Sequence, residues 1–344
     1  MYTECMGDLF SRGYAEEVPA EEVSSSVVWY LPHHAVLNPN KPGKVRVVFD
    51  CSAKHCGKSL NDVALQGPDL TSKLIGVLLR FRQEPIAFMG DIEAMFHQVR
   101  VTESDRDVLR FLWWRDGKLD EQPTTHRMKV HLFGGVWSLS CCNFVLRRTA
   151  EDFRDEFDEE VIETVLSNLY VDDCLKSVGS VERAIHIVHQ LTKLLKNGGF
   201  RMTKWISNSR EVMASIPNED QLKKVQSLDL QCEALPVERA LGVSWDIEND
   251  EFSFDLKVLN KPFTRRGVLS IVSSVYDPFG FLNPFMLSAK RMMQDLCRRK
   301  IAWDESLTAS DELSWKVAYR SSDDESAEAH PVFQTVRLWR GSND

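Results

Sequence analysis

The sequence predicts an α+β fold in which helices cover one face of a small antiparallel sheet. Three observations carry that prediction. Short strand-like runs, β-branched at 45–49, apolar at 86–90 and a hairpin arm at 174–178, interrupt helical stripes without the strict strand–helix alternation of a parallel sheet. Two hairpin patterns stand at 165–178 and 240–254. At 344 residues, 43% hydrophobic and 10% aromatic, the chain is long enough to bury two or three packed lobes.

In chain order, residues 1–26 read as an N-terminal adapter led by a short helix, and Val27–Leu31 as an apolar strand stopped by Pro32. A turn at Asn40-Lys41-Pro42-Gly43 introduces the strand Val45–Phe49. Asp69–Glu84 has helical spacing, with Leu74, Val77, Leu78 and Phe81 on one stripe and Pro85 as the stop. Ile86–Gly90 is an apolar strand running into Asp91. Ser140–Phe157 is helical in pattern. Val165–Leu169 and Cys174–Val178 form the two arms of a hairpin with Tyr170-Val171-Asp172-Asp173 at its tip. Ser180 caps a helix with the stripe Ala184, Ile187, Val188, Leu191, Leu194 and Leu195, and Gly198-Gly199 ends it. A strand over Arg201–Ile206, a second hairpin over Ala240–Phe254 turning at Asn249-Asp250, and a helical stretch over Lys261–Trp303 complete the pattern.

Composition excludes several classes. Gly at 17 and Pro at 13 rule out collagen-like and low-complexity chains. No run of eighteen apolar residues exists, so no membrane partner is expected. The first residues lack a basic and then apolar leader, and the eight cysteines form no CxxC pair; both features suit an intracellular protein of cytoplasm or nucleus with reduced thiols. Net charge is −9, from 42 Lys and Arg against 51 Asp and Glu, a sum that argues against a polyanionic partner. Its distribution argues the other way. Lys41 to Arg82 carries eight basic residues against three aspartates, and Lys261 to Lys300 eight against two, while 151–163 gathers eight carboxylates and one arginine. Two separated basic blocks are suited to the flanks of a cleft for nucleic acid; ordinary solvated faces are the plainer reading.

Three aspartates carry the chemistry. Asp91 ends an apolar strand, and Asp172 and Asp173 stand at a hairpin tip. Carboxylates are costly in apolar surroundings unless a cation joins them, and three together raise each other's pKa until divalent ions neutralise them. Hard oxygen ligands of that number suit Mg²⁺, and two such ions can serve both ends of a phosphoryl displacement. Asp-Asp pairs in turns are also common as solvated turn residues.

These residues lie in a wider pattern. Tyr170-Val171-Asp172-Asp173 forms a YxDD box, and 88–96 reads Phe-Met-Gly-Asp-Ile-Glu-Ala-Met-Phe. Tyr30-Leu31-Pro32-His33-His34, Val45–Asp50, Ser59-Leu60-Asn61-Asp62, Gln66–Leu70, His131–Gly135, Lys204–Ser209, Thr264–Gly267, Tyr276-Asp277-Pro278 and Trp303-Asp304-Glu305 follow in order. Together, over residues 1–315, they resemble the reverse transcriptase of BEL/Pao long-terminal-repeat retrotransposons.

The resemblance implies a right-hand polymerase. Fingers would come mainly from 27–85 and 100–130, a palm with a small antiparallel sheet would complete 27–254, and a helical thumb would span 255–315, ahead of a divergent acidic tail at 316–344. It implies an RNA-directed DNA polymerase, a nucleotidyltransferase adding deoxynucleotides to a primer 3′-hydroxyl on an RNA or DNA template, with two Mg²⁺ ions for which Mn²⁺ can substitute. Asp91, Asp172 and Asp173 would hold those ions. Phe96 falls beneath the incoming sugar of the deoxynucleoside triphosphate, and Arg46 falls where an arginine meets its phosphates. Phe133, Gly134 and Gly135 open the loop that covers template base and nucleotide. Lys204 matches a lysine that protonates or steadies the leaving pyrophosphate. Tyr170, Gly242 and Trp245 would grip the primer, and Arg298, Arg299 and Lys300 would lie on the duplex. Plainer readings stand beside these: an exposed strand arginine for Arg46, a solvated Lys204, a core ring for Phe96.

Departures from the family pattern bear on activity. Ser138-Leu139-Ser140 stands where the family has Ser-Pro-Ser, which leaves the loop less constrained. After about Trp315 the sequence no longer follows the family, and no aspartic-protease triplet, ribonuclease H segment or zinc-bearing integrase segment is read, as expected of a polyprotein fragment. Two other classes stay open: a catalytically silent remnant serving as a nucleic-acid-binding scaffold, and a metal-dependent nucleotidyl cyclase on a similar palm.

Overall fold

The structure is a computed structural model and describes residues 1–23, 27–37, 43, 45–118, 120–230, 233–254 and 261–318. The expected turn at Asn40-Lys41-Pro42, the opening of the expected thumb at 255–260 and the tail from 319 lie outside the described residues.

From the N-terminus run α1 (Tyr2–Ser11), β1 (Ala15–Glu17), β2 (His33–Leu37), β3 (Val45–Phe49), α2 (Leu60–Val63) and α3 (Leu74–Phe81). Next come β4 (Ile86–Ile92), α4 (Met95–Gln98), β5 (Arg110–Trp113), β6 (Thr124–Met128), α5 (Ser138–Asp152) and α6 (Glu159–Ser167). They lead to β7 (Leu169–Tyr170), β8 (Asp173–Val178), α7 (Val181–Asn197), β9 (Met202–Ser207), α8 (Arg210–Ala214) and α9 (Lys223–Gln226). Last are β10 (Val237–Ala240), β11 (Val243–Asp246), β12 (Glu251–Ser253), α10 (Arg265–Ser274), α11 (Asn283–Arg298) and α12 (Ala309–Ala318).

The architecture is mixed α/β with small antiparallel sheets. One sheet has the order β7-β8-β4-β9, and another β10-β11-β12; β1-β6-β5 and the ribbon β2-β3 belong to the N-terminal lobe. The main core packs α5, α6 and α7 on the first sheet. The stripe Ala184, Ile187, Val188, Leu191, Leu194 and Leu195 of α7 is buried there, each larger side chain contributing roughly 1.5–3 kcal/mol. Ser180 caps that helix by accepting from the Arg183 N–H, and its chain exits through Gly198 and Gly199, as its sequence predicts. A second core gathers Met6, Leu9, Ala15, Phe49, Phe111 and Met128.

That second core overturns part of the expected division. Residues before 24 are no separate adapter: α1 and β1 share their core with β3, β5 and β6, and β1 pairs with β6. Val27–Leu31 is no ladder strand among the described residues; its strand-like pairing with β5 is the single bridge Tyr30–Arg110. The helix expected from Asp69 begins at Leu74. Asp69 instead caps a turn by accepting from the Thr71 N–H, and Arg147 of α5 takes the Leu70 carbonyl, so this stretch is pinned in a non-helical form. Val165–Ser167, expected as a strand, closes α6, because Val161, Ile162 and Val165 recur on one helical face and bury it.

Candidate active site

Two neighbouring strands bring the carboxylates together. Asp91 near the end of β4 and Asp173 at the start of β8 are direct cross-strand partners. Tyr170 of β7 pairs with Asp173 across the two-residue turn Val171-Asp172. The Asp172 carbonyl accepts the Ile92 N–H at 2.8 Å, which ties the turn to the end of β4. Val171 sits at φ 56°, a left-handed conformation that a β-branched residue adopts only under constraint.

The electrostatics follow from this crowding. Like charges directly opposite on paired strands repel. Burial, then Asp172 and Asp91, push the Asp173 carboxyl up to about 7, and burial and Asp91 also raise Asp172. Lys204 works against both shifts. Its Nζ lies 2.7 Å from Asp91 Oδ1. The strand that carries it is bulged: Met89 pairs with Ile206 and Asp91 with Thr203, so Lys204 and Trp205 oppose Gly90 alone. Lys204 itself has φ 53°. Among the described residues, no three His, Cys, Asp or Glu side chains converge closely enough to hold a metal ion as they stand. The donor chemistry, three carboxylates gathered by β4 and the β7–β8 hairpin with an ammonium already on one of them, is of the kind that suits a hard divalent cation.

Around this centre the other expected residues take different places. Phe96 in α4 is half-buried, its ring edge-on to Phe133 with centroids 5.7 Å apart. Phe133 is 72% exposed. Gly134 has φ 104°, a conformation open to glycine. Arg46 points out from β3 opposite Val36 of β2, with no acceptor in hydrogen-bond reach among the described residues. Gly242 turns the chain between β10 and β11, and the Tyr276 ring packs there, 2.8 Å from where a glycine Cβ would stand.

Two expectations need correction. Trp245 is 0% exposed, edge-on to Phe81, and donates its Nε1–H to Asp250, so it supports the hairpin from within and cannot touch a primer. Part of the second basic block is engaged within the protein itself. Arg299 pairs with Asp295 and Asp311, Arg266 with Asp304, and Arg265 donates to the Ile301 carbonyl and lies over the Trp303 ring. Arg298 and Lys300 remain exposed.

Two contacts have no counterpart in the sequence reading. Asn61 clamps the Gly134 loop: its side-chain amide donates to the Gly134 carbonyl and accepts from the Val136 N–H, both at 3.0 Å. Ser59 and Asp62 form a capping box that fixes the short helix carrying it. Arg82 bonds the side chain and the carbonyl of Asp250, tying α3 to the β11–β12 turn. The S-x-x-D spacing at 59–62 signals the cap; nothing local signals the long-range partners.

No helix among the described residues is long and apolar enough to cross a membrane. A family model described as "Pao retrotransposon-like RNaseH-like domain" matches residues 264–331. This overturns the expectation that no ribonuclease H-like segment and no family likeness after Trp315 would be found. The described part of that segment consists of α10, α11 and α12. No curated protein sequence matches the chain. Among solved structures, the fold is similar to the foamy viral protease-reverse transcriptase dRH in complex with double-stranded DNA, with TM-score 0.57, 16% identity and 90% of this chain covered. The chain spans 45% of the length of that protein.

Proposed function

We propose that the chain is the reverse transcriptase portion of a Pao-like retroelement polyprotein, an RNA-directed DNA polymerase of right-hand architecture. The observation that carries this reading is the juxtaposition of Asp91 and Asp173 on paired central strands, with Asp172 in the adjoining turn, in a fold like that of the foamy viral protease-reverse transcriptase.

Asp91, Asp172 and Asp173 would hold two Mg²⁺ ions, which when bound lower the pKa of a primer 3′-hydroxyl and offset the charge of departing pyrophosphate. The chain's own residues do the positioning. Phe96 and Phe133, whose rings meet edge-on, would form an aromatic wall for an incoming deoxynucleotide. The Asn61 clamp orders the Gly134 backbone against that wall. Arg46 would offer its exposed guanidinium to phosphate oxygens. Lys204, half exposed, is a proton donor or counter-charge within reach of the same site.

The test is primer extension on poly(rA)/oligo(dT) with the purified chain and Mg²⁺, with Asp172→Asn as control. Extension by the parent and none by a folded Asp172→Asn protein supports the reading; equal extension by both overturns it. A labelled RNA strand in the same assay reads the second activity raised by the match at 264–331. A nucleic-acid-binding scaffold is the second reading, favoured because the three neighbouring carboxylates form no ready three-ligand metal site among the described residues. Tight primer–template binding without extension would select it.

A further inference from the structure

We infer that Lys204 is a stand-in cation: its ammonium holds Asp91 while the site lacks metal, and a divalent ion must displace it, so that Lys204 sets the site's metal affinity. The inference rests on the proposed metal role of the three aspartates.

Asp91 is 19% exposed and Lys204 55%, so the carboxylate is fixed in the sheet while the lysine reaches in from solvent. The ammonium lies 2.7 Å from Asp91 Oδ1, the separation of a charge-assisted hydrogen bond. Among the described residues no other lysine or arginine pairs with Asp91, Asp172 or Asp173. The neighbouring Arg201 is held by Glu93 and Asp220.

The backbone is shaped for this contact. In a regular ladder, successive residues of β9 would alternate between the two faces of the sheet. The bulge at Lys204-Trp205 breaks that alternation: Trp205 turns into the core over Gly90, and Lys204 is aimed at Asp91. The left-handed φ of 53° at Lys204 is strained for a residue with a side chain. Glycine would occupy that position without strain, so the side chain's interaction offsets a standing cost.

A metal ion and the Lys204 ammonium compete for Asp91 Oδ1, and binding of either weakens the other by the same factor. Once displaced, the ammonium is free at the rim of the site, where an anionic substrate or product arrives. One residue thus lowers metal affinity at rest and supplies positive charge when the ion is bound.

The test measures Mn²⁺ binding to the full chain without nucleic acid, by loss of the free-ion electron paramagnetic resonance signal. Lys204→Met should bind Mn²⁺ about fivefold tighter or more, and Lys204→Arg like the parent, since removing the competing charge is what matters. Lys204→Gly, which suits the left-handed backbone, should also bind tighter and keeps the test valid if Lys204→Met folds poorly. A purely structural lysine gives the opposite result, with every substitution weakening metal binding. Unchanged or weaker Mn²⁺ binding in Lys204→Gly overturns the inference, while loss of binding in Asp91→Asn leaves the metal role of the aspartates standing. No Mn²⁺ binding by the parent, or binding unaffected by Asp91→Asn, overturns both.

Discussion

Gly90 lies against the Trp205 ring so closely that a Cβ on it would stand 2.6 Å from Trp205 Cε3. Met202 Cε crowds the same point at 2.9 Å. Gly90 is opposite the bulge in β9, so its missing side chain is the space into which Trp205 folds while Lys204 turns outward. Trp205 is fully buried and has nowhere to retreat. Glycine is required here for close approach.

Gly90→Ala should therefore destabilise the protein by about 1–3 kcal/mol, the range of overpacked cores. It should also disturb the Lys204–Asp91 contact without altering any charged group. Denaturant unfolding reads the first effect. A Mn²⁺ affinity shifted toward that of Lys204→Gly reads the second.

The pH dependence of the metal-free protein should carry the mark of Asp173. Its folded pKa is raised to about 7, against an ordinary value of 3.8. The native state thus holds a proton that the unfolded state releases at lower pH. This contribution to stability is full below about pH 4 and is lost as pH rises toward 7, with a size on the order of 2–4 kcal/mol. Asp173→Asn removes the loss, so the stability gap between variant and parent should widen from pH 5 to about pH 7.5. Saturating Mg²⁺ should narrow it again for the parent alone. Urea midpoints across that range, with and without Mg²⁺, decide the matter; a gap constant with pH refutes the burial and repulsion assigned to Asp173.

Salt dependence should divide the basic residues that the sequence groups together. Arg46, Arg298 and Lys300 are exposed, whereas Arg299 is bound to Asp295 at 3.0 Å and Asp311 at 2.6 Å. Each phosphate that is no longer neutralised should lower the slope of log affinity against log salt by about 0.9 on a duplex. Replacing Arg46, Arg298 and Lys300 with alanine should thus flatten the salt response of primer–template binding measurably. Arg299→Ala should leave the slope unchanged and loosen the junction of α11 with α12. A slope that falls with Arg299→Ala and not with the triple variant reverses this assignment.

Local rules made much of this legible. The α7 stripe, the Ser180 cap, the β4 run into Asp91 and the turn at Val171-Asp172 depend on residues close in sequence, and each is found where the pattern predicts it. The misreadings share a different cause. Val165 favours a strand by local preference, but its burial with Val161 and Ile162 makes it helical. Trp245 sits in a hairpin expected to face a primer, yet Phe81, far earlier in the chain, encloses it. The same holds for the basic block, whose partners Asp304 and Asp311 lie beyond its end at Lys300. Which face an element buries is decided by distant partners that spacing alone does not encode.

In the proposed polymerase, sugar choice would turn on Phe96. Its ring is half-buried and edge-on to Phe133, so it is held in place by a neighbour that is itself exposed at the rim. In the proposed site a ring so fixed leaves no room for a 2′-hydroxyl, and ribonucleotides would be refused by clash. Phe96 brings no polar group to the carboxylates, so a smaller side chain should relax the refusal and spare the chemistry. Phe96→Val should keep measurable deoxynucleotide incorporation and raise ribonucleotide incorporation relative to it about tenfold, which requires only about 1.4 kcal/mol of differential binding. Because Phe133 is left without its partner ring, the loop it opens should also loosen, and some stability should be forfeited, as denaturant unfolding will show. Single-nucleotide extension with matched ribo- and deoxynucleoside triphosphates reads the ratio. A folded, active Phe96→Val protein that still rejects ribonucleotides as the parent does would assign Phe96 to packing alone, leaving the carboxylates and their metal role untouched.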